Sequence, residues 1–184
     1  MDFINIAIVG LYFYSPVALA NIGANLGKFV PFFKNIKKPI DFGKKIDGIR
    51  IVGDHKNFGG FIFGILFGTF WGIIKTLYSD PFMSKYLLIN ESNLKLIFLY
   101  FIMSFAALSG DLIKSVLKRM LNKPAHSAWI PFDEIDHSLA SMLLAKLFFP
   151  IPWVIIISTI FLGAILHLIS NVIGYLLKIK SVPY

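Results

Sequence analysis

Four carboxylates and a run of cations crowd into one short stretch of an apolar chain: "SGDLIKSVLKRMLNKPAHSAWIPFDEIDHS", residues 109–138. If a helix runs through Asp111, then Asp111, Ser115 and Lys118 share a face at spacings of four and seven. A carboxylate at a membrane edge is costly unless partnered. Asp111 therefore either pairs within its helix, with Ser115 or Lys114, or serves as a metal or phosphate-site residue. Further on, Asp133 and Asp136 lie three apart in "PFDEID", with Glu134 between them. Acidic residues suit the start of a helix, which accounts for one of them more easily than for three. Hard cations such as Mg²⁺ take oxygen ligands from one or two carboxylates plus substrate phosphates. Asp111 with Asp133 or Asp136 would provide these. Lys114, Lys118, Arg119 and Lys123 nearby would suit a polyphosphate.

A second polar stretch, "PIDFGKKIDGIRIVGDHKNFGG" (39–60), interleaves glycine, acid and base: Asp41, Asp47, Arg50, Asp54 and Lys56. It contains no GxxxxGK[ST], so it is not a P-loop. It is either a solvated basic loop or a shaped one in which Arg50 and Lys56 clamp phosphates. Gly43, Gly48, Gly53 and Gly59 favour the shaped form, because glycine tolerates positive φ and close approach. The histidines (His55, His126, His137, His167) show no H-E-x-x-H spacing. No Ser/His/Asp triad and no zinc site follow from the sequence.

These groups must be held by membrane elements. Of 184 residues 57% are apolar, and the mean hydropathy is +0.73. With no cysteine, disulfides and thiolate metal sites are excluded. The net charge of +8 suits topology control, anionic headgroups or phosphates, and not nucleic-acid binding by so apolar a chain. A spanning helix needs about 20 mostly apolar residues. The sequence predicts helices over Phe3–Leu26, Phe58–Tyr78, Leu94–Leu117 and Trp153–Leu177, with a short fourth over about Ile135–Phe149 before Pro150 and Pro152. The N-terminus lacks a basic n-region and reads as a span. Gly60, Gly64, Gly68 and Gly72 form one stripe, suited to close helix packing.

Fourteen of the 18 basic residues fall after helix one, at the end of helix three with its loop, or at the C-terminus. The positive-inside bias predicts an all-α, five-span membrane protein, N-terminus out and C-terminus in. Its two long polar segments, 28–57 and 114–138, would face the cytoplasm. Residues 1–184 are expected to form one membrane-embedded domain, and nothing in the sequence fixes an oligomeric state.

The motifs "PIDFG…DGIRIVGDHKNFGG" and "GDLIKSVLKRML…WIPFDEID" resemble the CDP-archaeol synthases, CTP-dependent cytidylyltransferases of archaeal ether-lipid synthesis. The early "ANIG" and the C-terminal "HLISNVIGYLLKIKSVPY" are similar to that family's first and last helices, so the resemblance covers nearly the whole chain. The central motif is also similar to that of the phosphatidate cytidylyltransferases: Asp111, Ser115, Arg119, then Asp133 and Asp136. It departs in lacking their histidine-glycine stretch before the acidic pair. In the first loop Asn57 replaces an expected threonine, His55 stands where glycine is common, and one residue is missing between Gly43 and Asp47.

The resemblance implies CTP plus 2,3-bis-O-(geranylgeranyl)-sn-glycerol 1-phosphate, an isoprenoid ether-lipid phosphate, giving a CDP-activated lipid and pyrophosphate. It implies Mg²⁺ and a cytoplasmic site. Asp111 and Asp133, with Asp136, would hold the metal. Lys56, Arg50 and Arg119, with Lys118, would neutralise phosphate, and Ser115 would bond a phosphate or orient Asp111. A polyprenol kinase would instead release CDP. A small transporter would place its charges near the midplane and often repeat its helices, whereas here the carboxylates gather toward one side.

Overall fold

The computed structural model describes residues 2–46, 48–53, 56–87, 91–123, 127 and 129–178, with 46 and 79–87 described in backbone only. Asp47, Asp54, His55, His126 and Lys180, which entered the sequence reading, lie outside the described residues. Five α-helices appear among the described residues: α1 Phe3–Leu26, α2 Phe58–Leu87, α3 Asn93–Met120, α4 Phe132–Phe148 and α5 Trp153–Leu176. Four of them contain stretches long and apolar enough to cross a membrane: Phe3–Phe29, Phe58–Tyr78, Asn93–Met120 and Trp153–Leu176. The chain is a multi-pass membrane protein. The expected fifth span corresponds to α4, which has 17 residues. At 1.5 Å per residue that is about 25 Å, short of the roughly 30 Å hydrocarbon core.

Local sequence sets the helix ends. Asp2 caps α1 by accepting from the Asn5 amide at 2.9 Å. Pro150 and Pro152 close α4 and open α5. The loop between α1 and α2 is folded, not loose. A two-residue antiparallel hairpin, β1 Lys45–Ile46 with β2 Ile49–Arg50, is its only regular sheet among the described residues. Gly43 and Gly53 sit at φ of 83° and 99°, a region closed to most side chains.

The core joins α1, α3, α4 and α5 through Val9, Phe13, Leu99, Met103, Met142 and Ile155, all fully or almost fully buried. The α2 stripe is packing, as expected. A Cβ on Gly60 or Gly64 would lie 2.6 Å from the Ala24 or Ala20 carbonyl of α1, and one on Gly72 would lie 2.3 Å from Tyr100 of α3. Helix α2 is thus wedged against two neighbours with no space for side chains at these points.

One buried cation ties α1 to α2. Pro16 lies inside α1 and has no N–H, so the Tyr12 carbonyl loses its helical donor. Lys75 of α2 donates to that carbonyl and, at 3.2 Å, to Ser15 Oγ. Its ammonium also lies 3.3 Å from the Tyr12 ring centroid. In an apolar environment every backbone group needs a partner, and Lys75 and the Ser15 hydroxyl, which donates to the same carbonyl at 2.9 Å, together replace the one that the proline removed.

Candidate active site

Helix α3 presents Asp111, Lys114, Ser115 and Lys118 along one side, and α4 meets it with Asp133 and Asp136. The approach is close because Gly110 carries no side chain. A Cβ there would fall 2.5 Å from Ala140 Cβ and 2.9 Å from the Asp136 carbonyl. Lys114 sits at the junction, with its Nζ 3.3 Å from Asp111 Oδ1, 3.1 Å from Asp133 Oδ1 and 2.8 Å from Asp136 Oδ2. Carboxylates from two helices therefore converge on one ammonium.

Lys56, at the end of the first loop, reaches the same cluster. Its Nζ lies 2.7 Å from Asp111 Oδ2, and it donates to Ser115 Oγ at 2.5 Å and to the Asp111 carbonyl at 3.1 Å. Ser115 in turn donates to that carbonyl at 2.8 Å. Burial pulls the Lys56 ammonium below the ordinary lysine value, and the Asp111 carboxylate opposes that pull. Lys118 lies 3.2 Å from Asp133 Oδ2 and also donates to the Ser127 carbonyl. Asp133 further accepts from the Trp129 amide at 2.6 Å.

The remaining expected residues fall elsewhere. Arg50 makes a two-pronged pair with Asp41, Nε to Oδ2 at 2.9 Å and Nη2 to Oδ1, while Asp41 also accepts from the Gly43 and Val52 amides. That arrangement folds the loop. Arg119 donates to the Lys123 carbonyl at 2.6 Å, and its buried Nε has no hydrogen-bond partner among the described residues. Glu134 is buried and has no ion pair among the described residues.

Two contributors were not singled out from sequence. Lys114 appeared there only among several cations, yet it is the hub. His137 is buried beside Asp136, Nδ1 to Oδ1 2.5 Å, with its ring centroid 5.4 Å from that of His167. A lone histidine has no diagnostic spacing, and adjacency to Asp136 was the available signal.

The cluster has the donors to hold a metal ion. Asp111, Asp136 and His137 each have one ligand atom within 4.8 Å of the others. The buried Asp136 Oδ2 has no well-directed hydrogen-bond donor, so its contact with Lys114 is ionic. Asp133 lies outside that trio, engaged by Lys118 and the Trp129 amide.

Two cavities adjoin these residues. A polar one of about 170 Å³ touches Lys56 and Asp111 and extends to Asn21, Asn25, Asn57 and Phe61. An apolar groove of about 260 Å³ runs between α3 and α4. Ile113, Leu117, Leu139 and Leu143 line it, and Lys114 and Asp136 are the charged residues in its wall.

Known proteins share this architecture. A CarS-like family, CDP-archaeol synthase, matches residues 3–184. A CDP-archaeol synthase of Pyrobaculum islandicum is 35% identical over 179 residues, covering 95% of this chain and 98% of the relative. One from Sulfurisphaera tokodaii is 32% identical over 188 residues, covering 100% of both. A solved intramembrane enzyme for archaeal membrane lipid biosynthesis superposes with a TM-score of 0.62, over 85% of this chain and 90% of that one, at 22% identity. With a family match from end to end and relatives above 30% identity, the chain belongs to the CDP-archaeol synthase family.

Proposed function

We propose that this enzyme transfers the cytidylyl group of CTP to 2,3-bis-O-(geranylgeranyl)-sn-glycerol 1-phosphate, forming a CDP-activated ether lipid and pyrophosphate. The observation that carries the reading is the meeting of Asp111, Asp133 and Asp136 around Lys114, beside an apolar groove. Charged chemistry next to an apolar channel is what a lipid phosphate requires. The family membership supports the same reading.

In the reaction, a lipid phosphate oxygen attacks the α-phosphorus of CTP in line. The new P–O bond forms as the bond to the bridging α–β oxygen breaks, and pyrophosphate leaves. The nucleophile is already ionised, so no general base is needed. Positioning and charge neutralisation carry such transfers. Asp111 and Asp136, with Asp133 or His137 beside them, would hold Mg²⁺, which supplies charge neutralisation for both phosphates. Lys56 and Lys114 place ammonium groups against the phosphates, and the flexible lysine stem lets each leave its carboxylates when substrate arrives. Ser115 holds Lys56 in line. Lys118 orients Asp133, and Arg119 adds positive charge at the end of α3. Arg50 acts at one remove by fixing the loop that carries Lys56. The lipid chains lie along the α3–α4 groove.

The distribution of basic residues supports a site on the cytoplasmic side, with α4 as a short fifth crossing and residues 1–184 as one catalytic domain.

Purified protein supplied with labelled CTP and lipid phosphate is expected to yield labelled lipid and pyrophosphate. The Asp111→Asn variant should lose about 100-fold or more in turnover, since a metal's charge stabilisation is worth several kcal/mol. Near-normal turnover of that variant would remove Asp111 from its role. Release of CDP with a phosphorylated lipid would make the enzyme a kinase.

A further inference from the structure

Between residues 28 and 45 the chain carries six lysines, Lys28, Lys34, Lys37, Lys38, Lys44 and Lys45, and one acid, Asp41. All six lysines are exposed, whereas Asp41 is buried and held by Arg50. None of the six has an ion pair among the described residues. Orienting a membrane protein requires such charge on one side, but not that the charge be built into a fixed surface.

Here it is fixed. Two short 3₁₀ turns, Gly27–Phe29 and Phe33–Asn35, follow α1. The Phe33 ring packs on Phe63 of α2, with centroids 5.0 Å apart. A Cβ on Gly59 would lie 2.3 Å from the Phe33 carbonyl, so only glycine admits this contact. The Ile36 carbonyl accepts from the Gly59 amide at 3.2 Å, and the Lys38 carbonyl accepts from the Phe58 amide at 3.0 Å. Ile40 in turn donates to the Lys56 carbonyl at 3.3 Å. Segment 33–40 is thus fastened along the start of α2. With Phe33 turned inward, Phe29 and Phe32 are left outside, 70% and 71% exposed.

The apolar stretch of α1 runs to Phe29, and that of α2 begins at Phe58. The two exposed rings and the lysines around them therefore lie where two spans leave the hydrocarbon. Lys28 Nζ is 5.0 Å from the Phe29 ring centroid, and Lys38 Nζ is 4.8 Å from that of the exposed Phe42. Apolar rings beside unpaired ammonium groups make an interfacial anchor. Its rings enter the acyl boundary and its cations meet anionic headgroups. Phosphate in solution would engage the lysines and leave the rings in water.

We propose that the exposed face of residues 28–45 is a docking surface for anionic headgroups of the bilayer that the protein spans, with Phe29 and Phe32 seated at the acyl boundary. The inference needs only the membrane placement of α1 and α2, and it goes beyond the transfer reaction proposed above.

The test uses the full-length protein in bilayers of phosphatidylcholine. Spin-labelled phosphatidylglycerol and spin-labelled phosphatidylcholine are compared for association with the protein. Wild type is expected to prefer the anionic lipid by roughly tenfold at low salt and to approach parity at high salt. Lys34→Gln, Lys37→Gln and Lys38→Gln together should remove most of the preference, whereas arginine at the same three positions should keep it. CTP affinity should be unchanged in both. The chain has no cysteine, so Phe32→Cys can carry a single fluorophore. That label should be quenched by brominated acyl chains more than by aqueous iodide, and this reading decides the matter should the glutamine variant fail to fold. Equal association of the two lipids with wild type would reduce the lysines to orienting charges and overturn the surface. A preference that persists in the folded glutamine variant would overturn it too. Quenching from water alone, with binding of polyglutamate in place of the lipid preference, would make the face a site for an acidic protein. Wild type that prefers the anionic lipid but forms no CDP-lipid would sink the proposed activity and leave the surface standing.

Discussion

At the scale of single residues, Lys114 organises the site. It neutralises three carboxylates that would otherwise repel one another across the α3–α4 junction. Removing one partner of a buried ion cluster costs about 3–5 kcal/mol, because the charges left behind stay buried. Lys114→Met should therefore lower the melting temperature in chelator. Added Mg²⁺ should raise it more than in wild type, since the freed carboxylates bind the ion without competition. An equal Mg²⁺-induced shift in both proteins, read by thermal denaturation, would separate Lys114 from the metal site. Asp111, Asp133 and Asp136 could be named from spacing because carboxylates in an apolar chain are conspicuous. The role of Lys114 could not, because a lysine among lysines is distinguished only by what lies opposite it in the fold. The placement of Arg50 was hidden for a related reason. Its partner Asp41 is nine residues away along a loop whose shape no periodicity reports.

At the scale of elements, α1, α3 and α5 were legible to within a few residues, because long apolar runs leave few alternatives. So was the apolar span of α2, Phe58–Tyr78, and the helix that carries it continues to Leu87. The start of α4 lies at Phe132 and not near Ile135, since Asp133 and Glu134 suit a first helical turn. The α1–α2 pair gives its own prediction. If Lys75 shares with Ser15 the carbonyl that Pro16 leaves without a helical donor, then Lys75→Met should destabilise by about 1 kcal/mol, the worth of one hydrogen bond. Pro16→Ala, which restores the Tyr12 carbonyl's helical donor, should remove most of that penalty. A double-mutant cycle with additive effects would deny the link.

The loop offers a pH test. Burial pushes the Asp41 carboxyl up, but the Arg50 hydrogen bond and the Gly43 and Val52 amides outweigh it and hold Asp41 below the usual carboxylate range. A depressed folded value means the pairing contributes fully above the unfolded value, about 3.9, and is lost as pH falls through the folded one. Amide protection in 44–52, corrected for intrinsic exchange, should hold from neutral pH to about pH 4 and then collapse. Asp41→Asn should lack protection across the whole range.

At the scale of the whole molecule, the charges of the site nearly cancel. Lys56, Lys114 and Lys118 face Asp111, Asp133 and Asp136. A triphosphate and a lipid phosphate entering this balanced set bring negative charge that three occupied lysines cannot absorb alone. Chelation should therefore weaken CTP binding by about tenfold or more, the equivalent of about 1.4 kcal/mol, and Mg²⁺ should restore it. Unchanged affinity in chelator would show that the lysines suffice.

The same cancellation bears on how the protein is made. A lone charge carried into the bilayer on a nascent helix costs about 2.5–3.5 kcal/mol at the helix centre. Asp111 and Lys114 stand one turn apart on α3, 3.3 Å between charged atoms, so each shields the other before any neighbouring helix arrives. Helix α4 brings its acids later, to an ammonium already in place. Biogenesis can thus deliver a reactive polar centre into lipid as an electrically quiet hairpin, and the chemistry wakes only when nucleotide disturbs it.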